Sequence, residues 1–356
     1  MQEILYDARW IGLSGMGRFA GEVSKRLPGL TFYRAGRVPW HAADPALLSA
    51  MLWRRRPKLF FSPGYSPPLS SPCPFVFTLC DLHHLRVPEN SNAAKRAYYR
   101  HIIRPACHRA AFVLTISEFS KREIVEWAGV RPEKVINVGC GIGPPFVAGG
   151  AKHEPGFPYL LYVGSRKPHK NLPRLMQAFA LAELPAELRL ILAGWEGPEI
   201  DGEIQRRGLG GRVICRRCDS DEELASLYRG ALGFVFASLY EGFGLPPLEA
   251  MACGAPVVTS NAAAIPEVLG DAGLSVDARN VDEFAAAIHA LVEDAGLREK
   301  LREKGFARAK KFTWEETAGK ISRVLETWSA REHVAPEQET HAAPAMPRNW
   351  KSEDAG

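Results

Sequence analysis

The chain has 356 residues, 46% hydrophobic and 24% charged, a balance that describes a soluble globular protein with room for two domains. No apolar run is long enough to cross a bilayer, and seven scattered cysteines, an odd number, argue against a disulfide framework. Residues 1–155 carry 21 Lys and Arg against 11 Asp and Glu (+10) and residues 156–356 carry 24 against 29 (−5), summing to the net +5, so the first half would face something anionic.

The N-terminus opens directly on a strand-like run, Ile4–Arg9, without the basic and apolar regions of a signal peptide, so a cytoplasmic protein is expected. A glycine loop with Gly12, Gly15 and Gly17 leads into a helix reaching Arg26. Leu59–Ser62 and Phe75–Leu79 read as short strands, and Ala93–Arg109 as a helix rich in Arg, Tyr and His. Phe112–Thr115 is a buried strand, Ser117 caps the next helix, and Val135–Val138 closes this half. Alternation of this kind predicts a parallel sheet with helices on both faces.

Gly139–Pro158, dense in Gly and Pro, reads as a linker. The pattern then restarts: strand Tyr159–Val163, helix Asn171–Ala182, strands Leu188–Ala193 and Val213–Cys215, helix Asp221–Tyr228 and strand Phe234–Ala237. Gly242 and Gly244 follow, then Pro246 and Pro247 in the first turn of a helix that continues through Leu248–Cys253. A strand, a glycine turn and a helix start together aim backbone N–H groups and a positive dipole end at one spot, which suits a phosphate. Glu241 and Glu249, on either side of that turn, would accept hydrogen bonds from hydroxyls. A ligand with both phosphates and sugar hydroxyls fits. Strand Val257–Thr259 and helices near Asp282–Glu293, Leu297–Phe306 and Phe312–Ser329 complete the ordered part, and a tail of low apolar content is expected to be disordered.

SLYEGFGLPPLEAMACGAPVV resembles the E-x7-E signature of the retaining family 4 glycosyltransferases of the GT-B fold. The resemblance implies an α/β protein of two Rossmann-like, doubly wound domains facing a cleft: residues 1–145 for the acceptor, 146–311 for a nucleotide-sugar donor, 312–330 a helix crossing back, and 331–356 the tail. It implies that Glu241 meets sugar hydroxyls, that Glu249 meets the ribose, and that the backbone of Gly242, Phe243, Gly244 and Leu245 faces the sugar and diphosphate. YVGSRKPHKN resembles the family's VGxxxPxKN element, which assigns Lys170 and Arg166 to the leaving diphosphate, although relatives often carry Arg where this chain has Ser165. Gly194 and Arg216 would belong to the nucleotide site.

In the first half, SGMGRF is similar to the family's GIGRY loop, so Gly15 and Gly17 would keep that loop thin beside the donor phosphate. Relatives commonly read His-Asp-Leu where this chain has Cys80-Asp81-Leu82; Asp81 remains, and His83 or His84 is the candidate replacement if the loop bends toward the cleft. Ser117 would contact acceptor or phosphate.

The resemblance implies transfer of a sugar, first mannose from GDP-mannose, to a lipid-linked or oligosaccharide acceptor in surface polysaccharide synthesis, with no metal or other cofactor. Basic segments 93–109 and 53–58 would bring the enzyme to the anionic inner face of the cytoplasmic membrane, and no nucleic-acid-binding module is visible. A UDP-sugar transferase or epimerase of the same fold, and a catalytically silent binding protein, stay open as alternatives.

Overall fold

A computed structural model describes residues 4–331 except 13, 36–38, 40 and 195–197; the tail expected to be disordered lies outside the described residues from 332 onward. The first half forms strands β1 (Ile4–Asp7), β2 (Leu30–Tyr33), β3 (Leu59–Ser62), β4 (Phe75–Thr78), β5 (Phe112–Thr115) and β6 (Val135–Asn137). They pair in parallel in the order β2-β1-β3-β4-β5-β6. Helices α1 (Ser14–Arg26), α2 (Asp44–Arg55), α3 (His83–Arg86), α4 (Ala93–Tyr98), α5 (Arg104–Arg109) and α6 (Glu118–Ala128) connect them.

The second half holds β7 (Tyr159–Val163), β8 (Arg189–Ala193), β9 (Val213–Arg216), β10 (Gly233–Phe236), β11 (Val257–Ser260) and β12 (Gly273–Val276), parallel in the order β12-β11-β10-β7-β8-β9. Its helices are α7 (Leu172–Leu181), α8 (Pro198–Arg206), α9 (Asp221–Gly230), α10 (Leu245–Cys253), α11 (Ile265–Leu269), α12 (Val281–Glu293) and α13 (Ala295–Ala309). None of the helices among the described residues is long and apolar enough to cross a membrane.

Strands covered on both faces must be apolar on both, and LFFS, FVFT and VVTS are buried at every residue. The period of two sorts them. Tyr6, Phe61, Val76 and Leu114 pack on one side of the first sheet, Leu5, Phe60, Phe77 and Val113 on the other. The expected basic helix at 93–109 is α4 and α5 joined by a π-turn at Tyr99–Ile103, just before Pro105, which lacks an N–H to continue the ladder.

Two chain crossings lie side by side between the sheets. The Ile142 N–H donates to the Phe312 carbonyl at 3.0 Å, and Ile142 forms a parallel bridge with Thr313. Beyond it, α14 (Trp314–Arg331) returns to the first half, where Trp314 meets Phe19 edge-on at 6.3 Å and Glu315 accepts from Arg26 at 2.8 Å.

Candidate active site

Strand β10 runs out at Phe236, and the chain turns through residues 237–244 into α10. Gly244 adopts φ +111°, a left-handed conformation that L side chains rarely reach, and Pro246 follows in the first turn of the helix. Gly242 is needed for a different reason: a Cβ there would collide with the Asp81 carboxylate of the opposite domain. The junction is therefore shaped against the other half of the molecule.

A cavity of about 390 Å³ opens beside it. Its second-domain wall is Glu241, Gly242, Phe243, Gly244, Leu245 and Glu249, all expected from the sequence. Its first-domain wall contains Gly15, Arg18, Phe19, Cys80, Asp81, Ile116 and Cys140. Three carboxylates, a glycine loop and a helix N-terminus thus share one space.

Each carboxylate has a distinct environment. Glu241 pairs with Lys170 at 2.6 Å, and the ammonium lies 5.1 Å from the Phe236 ring centre. Glu249 is 4% exposed, bonded by Arg18 and by the Tyr228 hydroxyl at 3.1 Å; burial raises its pKa against the opposing pull of Arg18. Asp81 accepts the His83 N–H at 2.9 Å, and burial, then Glu241 and Glu123, hold its carboxyl up at about 6. Cys80 stands in the cavity wall, its thiol pushed well above the ordinary range by burial.

The other expected residues fall outside this cavity. Arg166 lines a separate groove of about 640 Å³ with Lys167, Arg174, Arg206 and Arg207. Arg216 turns to Glu223 at 2.9 Å and to His153 at 3.0 Å, so its side chain is engaged away from the cavity. Gly194, at φ +86°, would place a Cβ 3.7 Å from the Gly164 carbonyl where β7 and β8 end. Ser117 caps α6 through the Ser120 N–H at 3.0 Å and lines a neighbouring groove with Phe243 and Glu267.

One expectation needs correction. The loop at 80–84 does not bring a histidine into the cavity: His83 packs edge-on against His169 at 4.5 Å, and His84 bonds the Asn90 carbonyl at 3.3 Å. Burial, then neighbouring imidazoles and lysines, lowers the pKa of His83, and burial, then Lys95, lowers that of His84. Gly15 lines the cavity, and Gly17 packs against the turn at Gly12, where a Cβ would lie 2.7 Å from the carbonyl carbon.

Sequence reasoning missed Arg18, Tyr228, Tyr240 and Glu267. Tyr240 donates to Glu123 at 2.6 Å and accepts the Leu82 N–H at 3.3 Å, stitching the second domain to the first. The Glu267 carboxylate accepts the Glu118 and Phe119 N–H groups at 2.8 and 2.6 Å, so one domain supplies the cap for a helix of the other. The only local signal was the Arg inside SGMGRF; the partners of Arg18, Tyr240 and Glu267 lie more than a hundred residues away, and that of Tyr228 lies 21 residues on.

Residues 150–308 match the family described as glycosyl transferases group 1, and residues 6–144 match glycosyltransferase family 4. O-antigen chain mannosyltransferase B of Escherichia coli is 34% identical over 254 residues, 67% of this chain and 67% of that protein. Serotype-specific mannosyltransferase WbdA of Escherichia coli is 31% identical over 229 residues, 59% of this chain but only 28% of that longer one. The structure of sucrose-phosphate synthase from Thermosynechococcus elongatus superposes with a TM-score of 0.72 at 20% identity, over 93% of this chain and all of that one. The chain belongs to the group 1 glycosyltransferases of family 4, hexosyltransferases, and its two facing sheets are the GT-B fold.

Proposed function

We propose that this glycosyltransferase moves mannose, with retention of configuration, from a nucleoside diphosphate to a hydroxyl of a lipid-linked or oligosaccharide acceptor. The observation that carries the reading is the single cavity in which Glu241, Glu249 and Asp81 surround the N-terminus of α10. Carboxylates accept hydrogen bonds from sugar and ribose hydroxyls, and helix N–H groups suit a diphosphate. Lys170, held at the cavity edge by Glu241, supplies positive charge to a diphosphate as it leaves. The leaving diphosphate takes the acceptor proton on the same face of the sugar. Groups that bind the charge more strongly as it develops accelerate the step.

Mannose is favoured because relatives bear the names of an O-antigen chain mannosyltransferase and a serotype-specific mannosyltransferase, the first of which also favours a surface polysaccharide as product. GDP is the carrier we favour, with UDP as the competitor. Exposed cations, Arg96, Arg100, Arg104 and Arg109 from α4, the π-turn and α5 and Arg54, Arg55, Arg56 and Lys58 at the end of α2, support docking on an anionic membrane. Trp53, 50% exposed among these cations, suits the interfacial depth. Tyr98 and Tyr99, expected in the same patch, instead pack inward: Tyr99 is 3% exposed and Tyr98 bonds the Tyr65 carbonyl at 3.3 Å.

Incubation with GDP-mannose and UDP-sugars, with and without lipid extract, tests the reading. Mannose transfer from GDP-mannose to a lipid fraction is expected. Glu241→Gln is expected to lower transfer by about a hundredfold or more with its melting temperature retained. Undiminished transfer by that variant would sink the proposed site. Acceptor-independent release of free nucleotide at the same rate would overturn the acceptor assignment.

A further inference from the structure

Each of the two carboxylates that the proposed donor needs already holds a cation. Glu241 holds Lys170 from its own domain, and Glu249 holds Arg18, which reaches across the cleft from α1 of the opposite domain. Arg18 bridges to Asp221 as well, at 2.7 Å, and its guanidinium lies 5.0 Å from the Phe146 ring centre. Its side chain is 27% exposed and lines the cavity, so it is neither locked in the core nor free on the surface.

The arrangement is a matched set of plugs. A buried carboxylate is costly unless paired or hydrogen-bonded, and Glu249 has Arg18 and Tyr228 for this. A nucleoside diphosphate sugar brings hydroxyls that satisfy the carboxylates and a dianion that satisfies the displaced cations. We propose that Arg18 is a donor-binding residue contributed by the first domain: the ribose takes its place on Glu249, and its guanidinium turns to the diphosphate. Lys170 makes the parallel exchange from Glu241. Asp221, which also gives up Arg18, is half exposed and is solvated by water, so no buried charge is left without a partner. The planar fork of arginine suits two phosphate oxygens at once, and its origin on the opposite domain ties closure to the presence of the diphosphate. The inference rests on the donor class proposed above.

Calorimetric binding of GDP, UDP, guanosine and uridine to the wild-type chain, Arg18→Gln and Arg18→Lys tests it. Arg18→Gln is expected to weaken the better-bound diphosphate by about tenfold or more while its nucleoside changes by less than about threefold. Arg18→Lys, which keeps the charge but not the fork, is expected to fall between, and carries the test should the glutamine variant fail to fold. Equal weakening of nucleoside and diphosphate would mark Arg18 as merely structural and overturn the proposal, as would no change in either. If none of the four ligands binds the wild-type chain, the donor reading itself falls.

Discussion

Asp81 lies where the two domains touch, one carboxylate oxygen on the His83 amide and the other against Gly242. Burial is the largest cause holding its carboxyl at about 6, and Glu241 and Glu123 add to it against the His83 amide and Lys167. Between about pH 4 and 6 the folded chain keeps a proton that the unfolded chain releases, so this residue costs stability as pH rises through that window. Asp81→Asn removes the cost. Urea unfolding should show the variant gaining on the wild type as pH rises from about 4 to about 6. A difference independent of pH would show that the carboxylate is not strained by its burial. Asp81 was legible from its neighbours in Cys80-Asp81-Leu82, as were Glu241 and Glu249 from their spacing. Arg18 was not, because an ion pair with Asp221 or Glu249 leaves no trace in local pattern. The same holds for His83, whose partner His169 belongs to the other sheet.

At the scale of elements, the strands that the sequence displayed plainly include those buried along most or all of their length. Leu59–Ser62, Phe112–Thr115 and Tyr159–Val163 fall where their apolar runs place them. Strands β2 and β12 were overlooked, and both are sheet edges with exposed residues, which thins the apolar signal. Helices α2, α8 and α11 were also overlooked. Short, proline-started helices such as α11 show too few turns for a period to register. The β10–α10 junction was legible as a phosphate turn, but its second role was hidden: it is the surface on which the opposite domain closes. Gly242→Ala tests that role, since the atoms nearest to the added methyl all belong to Asp81 of the opposite domain. The expected outcome is a loss of transfer of about tenfold or more with far-UV circular dichroism and melting of the separate units retained. Full activity in that variant would mean that the cleft works without this contact.

Across the whole molecule, a set of polar seams crosses the cleft alongside apolar packing that joins Phe19 and Ile116 of the first domain to Phe243 of the second and to Trp314. Tyr240 on Glu123, Ser120 on the Gly242 carbonyl at 3.2 Å, Glu267 on the α6 amides and Asn90 on His169 at 3.0 Å all cross it. Such contacts are individually modest, which suits a cleft that must open to load and release. Two histidines give the seam a titratable component. Burial, then like-charged neighbours, lowers His83 to about 3 and His169 to about 4. His84, Lys167 and Lys170 face His83, while Lys170, Glu241, Lys167 and Glu89 face His169, and Tyr240 packs against His83. Neutral imidazoles are compatible with those lysines; an imidazolium is not. Their contribution is therefore complete above about pH 6.5 and is lost as pH falls. Asp81 opposes this, because its protonation relieves repulsion from Glu241, but at about pH 5 two imidazoles act against one carboxyl. Small-angle scattering should show the radius of gyration growing between about pH 7 and 5 while helix content is unchanged. His83→Phe, which keeps an aromatic ring beside His169 and removes one titrating group, should shift that opening to lower pH. A radius constant down to the unfolding transition would mean that the other seams hold the cleft closed without the histidines.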